Sequence, residues 1–243
     1  MAVVQAHRGA SGYAPENTLA SFRKAVRMGA DGIECDIYMS KDGEYVVCHD
    51  PTIDRTSNAS GEIGDWTLAD LKKLDFGAKF APEYKDERIP TLHEMLCVVH
   101  DMEPINIEIK SLGQNSPEEV DAFYNFLAEE HVIPRVLISC FNADLLGIIK
   151  KQHPDLRCGY LCWGENVAVS VEKAVSLHLD AIHPDWENTT KEIVDHAHKE
   201  GLIVNAWTCN SEEEIRKMLD IGCDGIITNY PDRAMKLNRE MNR

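Results

Sequence analysis

The chain is written as one repeating unit, a helix-length segment followed by a short apolar strand, and this rhythm leaves few folds open. Helix-like text at about 117–130 precedes a strand at Val136–Phe141, and 143–152 precedes Cys158–Trp163. The pattern continues with 167–177 before Ala181–Pro184, 190–200 before Leu202–Thr208, and 211–220 before Gly225–Thr228. Upstream, a strand at Val3–Arg8 meets a loop with Gly9 and Gly12. Pro15-Glu16-Asn17-Thr18 then opens a helix carrying Leu19, Phe22, Val26 and Met28, which Gly29 ends. A hairpin over Gly32–Asp50, a helix at Leu92–Val99 and a strand at Ile105–Lys110 complete the series. Of nine expected strands, the second member of the hairpin must run antiparallel, because so short a loop cannot make a parallel crossover. Removing it leaves eight parallel strands separated by helices, the number that closes an α/β (β/α)8 TIM barrel. Two doubly wound halves would also alternate, but no Gly-x-Gly-x-x-Gly loop follows any strand.

A length of 243 residues suits one such barrel, read here as a single domain over 1–243. Residues from about 51 to 90 break the rhythm: polar, turn-rich and weakly periodic, they read as a small lobe inserted after the second-strand hairpin. No apolar run approaches the ~18 residues of a membrane span, and the start Met-Ala-Val-Val-Gln-Ala-His-Arg lacks a secretory layout. The eight cysteines are scattered without metal-type spacing, as expected of buried free thiols in a cytoplasmic protein. A formal charge of −16 argues against nucleic acid or a stable anionic-membrane contact as partner. An anionic substrate would need local positive charge. No surface helix shows an unpaired apolar stripe, which leaves a homo-oligomer open.

In a barrel, chemistry collects at the carboxyl ends of the strands. If Asp42-Gly43 is a two-residue hairpin loop, Asp36 lies opposite His49, and Glu34 shares their face by the two-residue strand period. Ile33, Cys35 and Ile37 fill the other face. The same alternation in Ile105–Lys110 turns Glu108 and Lys110 inward. Three carboxylates at adjacent strand ends repel unless a cation sits among them. An oxygen-only donor set points to Mg²⁺ or Ca²⁺. His7 and His49 flank the cluster and can act as acid and base. Arg8 and Lys110 add positive charge suited to a phosphoryl oxyanion, or simply neutralise the carboxylates. Phe141 and Trp207 either line a pocket or plug the barrel mouth. His183 reads as structural, and the remaining histidines as solvated or capping.

With these residues in order, the chain resembles the glycerophosphodiester phosphodiesterase family. The resemblance rests on His7-Arg8-Gly9, Pro15-Glu16-Asn17-Thr18, Glu34-Cys35-Asp36, His49-Asp50-Pro51, Ile89-Pro90-Thr91-Leu92, Glu108-Ile109-Lys110, Ser139-Cys140-Phe141, Ala206-Trp207-Thr208 and Thr228–Asp232. It implies a barrel with a small insertion, and metal-dependent hydrolysis of a small-molecule glycerophosphodiester to glycerol 3-phosphate and an alcohol. By position it implies His7 and His49 as the acid/base pair and Glu34, Asp36 and Glu108 as ligands of Mg²⁺ or Ca²⁺. Arg8 and Lys110 would hold phosphate, and Phe141 and Trp207 the glycerol or the leaving group. The nucleophile is water or the substrate's own 2-hydroxyl. Two alternatives are a lysophospholipase D-like enzyme acting on lipids, which calls for an apolar mouth, and a binding barrel without catalysis.

Overall fold

The computed structural model describes residues 1–241. In chain order its elements are β1 (Val3–Ala6), α1 (Leu19–Met28), β2 (Gly32–Met39), β3 (Tyr45–Val47), α2 (Leu68–Leu71), α3 (Leu92–Val98) and β4 (Ile105–Ile109). There follow α4 (Pro117–Glu129), β5 (Val136–Cys140), α5 (Ala143–Gln152), β6 (Arg157–Cys162), α6 (Val167–Ser176) and β7 (Ala181–Pro184). The chain ends with α7 (Lys191–Lys199), β8 (Ile203–Ala206), α8 (Glu212–Asp220), β9 (Gly225–Thr228) and α9 (Pro231–Met241). The sheet order is β1-β9-β8-β7-β6-β5-β4-β2-β3, and β1 also pairs with β2, which closes the barrel. All of its pairings are parallel except that of β3 with β2. Ile33, Cys35 and Ile37 of β2 and Ile105, Ile107 and Ile109 of β4 face the helices in the main apolar core. This is the alternation expected from the sequence.

Two local details differ from the sequence reading. The Pro15–Asn17 stretch is a turn; α1 begins only at Leu19, with Thr18 as N-cap in a capping box closed by Ser21. In the hairpin, Ile37 pairs with Val47, Tyr38 with Val46 and Met39 with Tyr45. Ser40 N donates to Glu44 O, so Lys41, Asp42 and Gly43 form a three-residue loop, with Gly43 at φ 85. The register is therefore one residue off the two-residue expectation, and Asp36 meets Cys48, whose N–H donates to Asp36 O. His49 does not share the face of Asp36 through pairing. It reaches the barrel mouth because β3 stops at Val47 and the chain bends through Asp50 and Pro51.

Residues after the hairpin pack a separate apolar cluster of Ile53, Ile63, Leu71, Phe76 and Ile89, to which Val46 of β3 and Cys48 just after it contribute. The cluster ties this stretch to the back of the strand that delivers His49.

The barrel interior is more polar than the Val, Ile and Leu layers usual for this fold. Gln5, Asn106, Ser139, His183 and Asn205 are all buried. Ser139 Oγ donates to Asn106 Oδ1 (2.8 Å), and Asn205 Nδ2 donates to His183 Nε2 (3.0 Å). Gly159 makes room for that imidazole, since a Cβ there would lie 2.5 Å from His183 Nε2. Burial lowers the His183 pKa to about 3. Above the ordinary value of 6.5, both folded and unfolded states are neutral at this residue. Between 6.5 and about 3 only the unfolded chain takes the proton, so stability falls as pH falls. Urea unfolding should therefore show wild type losing about 1.4 kcal/mol per pH unit from this residue below pH 6. His183→Gln should lack that part of the slope; equal slopes would mean that His183 is protonated in the fold.

Candidate active site

The strand ends bring the sequence-predicted residues to one cavity of about 350 Å³, lined by His7, Arg8, Glu34, His49, Glu108, Lys110, Phe141 and Trp207 among others. Asp36 sits beneath them, fully buried. Ligand-capable oxygens of Glu34, Asp36 and Glu108 lie within 4.8 Å of one another. The two imidazoles are held alike. His7 Nδ1 contacts Asn229 Oδ1 at 2.7 Å, and the same oxygen accepts from Ser11 Oγ at 3.0 Å. His49 Nδ1 lies 2.7 Å from Asp50 Oδ1. Both partners are acceptors, so each ring carries its proton on Nδ1 and keeps Nε2 free. His7 Nε2 lies 3.9 Å from Glu34 Oε2.

The charges interlock. Arg8 Nε lies 3.3 Å from Asp36 Oδ2, and Arg8 Nη1 donates to Glu16 at 3.0 Å. Lys110 Nζ contacts Glu108 and lies 3.2 Å from Asp36 Oδ1. Asn17 Nδ2 donates to Asp36 Oδ2 at 2.8 Å. Burial alone would raise Asp36, but Lys110, Arg8 and the Asn17 amide outweigh it and hold the carboxyl well below its usual range. Glu34 and Glu108 go the other way. Burial and the Asp36 charge push Glu34 well up and Glu108 to about 7. Burial, with Arg8 alongside, lowers His7 to about 4, and burial also lowers His49. Both imidazoles are thus neutral at pH 7. The arrangement offers a cationic cradle for an oxyanion, two proton-carrying rings and a crowded carboxylate cluster.

A model of the Glycerophosphoryl diester phosphodiesterase family matches residues 7–233. The chain belongs to the glycerophosphodiester phosphodiesterase family. As a family member it is a phosphoric diester hydrolase. It is 39% identical over 241 residues to a glycerophosphodiester phosphodiesterase of Caldanaerobacter subterraneus, covering 98% of each chain. Among solved structures it is similar to an Oleispira antarctica phosphodiesterase in complex with the product sn-glycerol-3-phosphate. There the TM-score is 0.88 at 32% identity, over 97% of this chain and 96% of that one. A Thermotoga maritima glycerophosphodiester phosphodiesterase matches with TM-score 0.80 and 31% identity, over 98% of both.

The carboxylate trio of this glycerophosphodiester phosphodiesterase suits a hard divalent ion. All three donors are oxygens, all are buried, and burial together with the Asp36 charge pushes the pKa of Glu34 and Glu108 up, a strain on their charged forms that a cation would offset. Phe141 and Trp207 meet edge to face, with centroids 5.7 Å apart, and line the pocket. Sequence reasoning singled out the first contact layer and missed what holds it: Glu16, Asn17, Asp50, Arg55 and Asn229. Arg55 donates to Asp50 (2.7 Å) and to Glu16 (2.7 Å), linking the His49 support to that of Arg8. Glu16, Asn17, Asp50 and Asn229 all stood inside the matched motifs, so the motif spans carried a signal that strand alternation does not. Among the described residues, no helix is long and apolar enough to cross a membrane.

Proposed function

We propose that this enzyme hydrolyses soluble glycerophosphodiesters to glycerol 3-phosphate and an alcohol, with His7 and His49 as the acid/base pair. The observation that carries the reading is the pair of imidazoles with Nδ1 tied down beside the Arg8 and Lys110 cations. The product bound to the Oleispira antarctica relative supports the substrate class. Arg8 and Lys110 receive the phosphodiester charge and steady it as it grows on the phosphoryl oxygens. One free Nε2 takes the proton of the attacking hydroxyl. The other ring, its Nδ1–H still held, takes a proton from solvent on Nε2 once the anionic substrate is bound and gives that proton to the departing alkoxide. Glu34, Asp36 and Glu108 would hold Mg²⁺ or Ca²⁺. Such an ion supplies Lewis-acid stabilisation of phosphoryl charge. Phe141 and Trp207 bound the space in which the organic half of the substrate turns.

The test is release of glycerol 3-phosphate from glycerophosphocholine after chelation and after restoring Mg²⁺ or Ca²⁺. Release is expected only with the ion restored. Choline phosphate in place of glycerol 3-phosphate would mean that the other ester bond is cut and that the roles need redrawing. A second reading, hydrolysis of lysophospholipids, has one observation in its favour: the mouth exposes Trp163 and Phe141. Lysophosphatidylcholine belongs in the same assay, and faster turnover of it than of glycerophosphocholine would favour that reading.

A further inference from the structure

Three of the four tryptophans, Trp163, Trp186 and Trp207, gather at one side of the mouth, past the ends of β6, β7 and β8. With Asp185, Glu187 and Asn188 they line a shallow cleft of about 410 Å³. Trp163 and Trp207 also line the catalytic cavity, so the two spaces adjoin at these rings. Trp207 is fixed: its Nε1 donates to His183 O at 2.6 Å. Trp163 is 69% exposed, a large apolar ring left in water beside an active site. Trp186 already carries a cation, with Lys217 Nζ 5.2 Å from its ring centroid, so the open indoles are the other two. Asp185 is held in place by the backbone N–H groups of Gly164 and Asn188, and Glu187 is exposed. The rim is therefore aromatic, with two carboxylates against the one Lys217 cation, whereas Arg8 and Lys110 place two cations on the phosphate side.

We propose that this cleft is the subsite for a choline-type alcohol, seating its trimethylammonium against Trp163 and Trp207 with Asp185 and Glu187 around it. The proposal rests on the phosphodiesterase reading above and names which alcohol half the site prefers. A weakly hydrated quaternary ammonium gains from indole faces and nearby carboxylates, and a zwitterionic diester can set its phosphate toward Arg8 and Lys110 and its ammonium toward the rim carboxylates. A glycerol leaving group gains neither.

The experiment compares kcat/KM for glycerophosphocholine and glycerophosphoglycerol in wild type, Trp163→Ala, Trp163→Phe and Glu187→Gln. Trp163→Ala should lower the choline-to-glycerol selectivity about three- to tenfold, chiefly through KM, and Trp163→Phe should recover most of it. Glu187→Gln should lower it less, by an amount that shrinks with added salt. Equal losses on both substrates would overturn the proposal and leave Trp163 a mere wall of the mouth. Unchanged selectivity with weaker sedimentation on phosphatidylcholine vesicles would overturn it in favour of a membrane contact. If wild type cleaves neither diester, the phosphodiesterase reading fails separately. The cleft is then judged by quenching of tryptophan fluorescence on titration with choline, which Trp163→Ala must weaken; no quenching in wild type would end the proposal.

Discussion

Replacing His49 by alanine should leave a folded protein and lower kcat for glycerophosphodiester hydrolysis by about 10²–10⁴-fold, the range for an acid/base side chain. Folding should survive because the imidazole sits at the mouth, with its side chain 31% exposed, outside both apolar clusters. The loss should be large because the ring is held for one purpose. Asp50 fixes Nδ1 at 2.7 Å, and Arg55 holds Asp50 at 2.7 Å, so Nε2 has few orientations left. Asp50→Asn would keep the size of the support but remove its charge, and should lower kcat less than His49→Ala while leaving KM nearly unchanged. Single-turnover rates with circular dichroism as a folding control check both variants. A His49→Ala protein within a few fold of wild type would remove His49 from the chemistry and leave His7 to act alone with solvent.

How His49 reaches the site shows what the sequence could and could not convey. The inward set Glu34, Asp36 and Glu108 was legible because a strand's side chains alternate strictly, so a carboxylate among Ile33, Cys35, Ile37, Ile107 and Ile109 can only face the barrel. The barrel itself followed from counting strands and noting that one must be antiparallel. The hairpin register was less secure, because Asp-Gly suits both two- and three-residue loops, and the two differ by a single position. The three-residue loop won, and His49 arrives by a bend that no periodicity encodes. The same limit hid Glu16, Asn17, Asp50, Arg55 and Asn229. They sit in loops, where contacts depend on the three-dimensional path of the chain and not on any repeat. His183 was read as structural, in keeping with its complete burial and its Asn205 partner.

Glu108→Gln, which keeps shape and removes one charge, should cost at least about 10³-fold in kcat at saturating Mg²⁺ or Ca²⁺, the scale of several kcal/mol of lost charge stabilisation. Calorimetric titration should show the ion binding much more weakly. The variant also separates two roles of the cluster. Lys110 now contacts both Glu108 and Asp36, so loss of the Glu108 charge frees it toward Asp36 and makes the cluster more nearly neutral without an ion. If neutrality were all that the site required, Glu108→Gln would remain active and insensitive to EDTA. If the three carboxylates exist to hold an ion, the variant loses both activity and affinity, and wild type loses activity in EDTA. Acid supplies a further check with a definite sign. With burial and Asp36 pushing Glu108 to about 7 and Glu34 well up, protons compete with the ion, so apparent affinity should weaken as pH falls through 7. A pure salt-bridge cluster would show no such competition, because Arg8 and Lys110 keep their charge across that range.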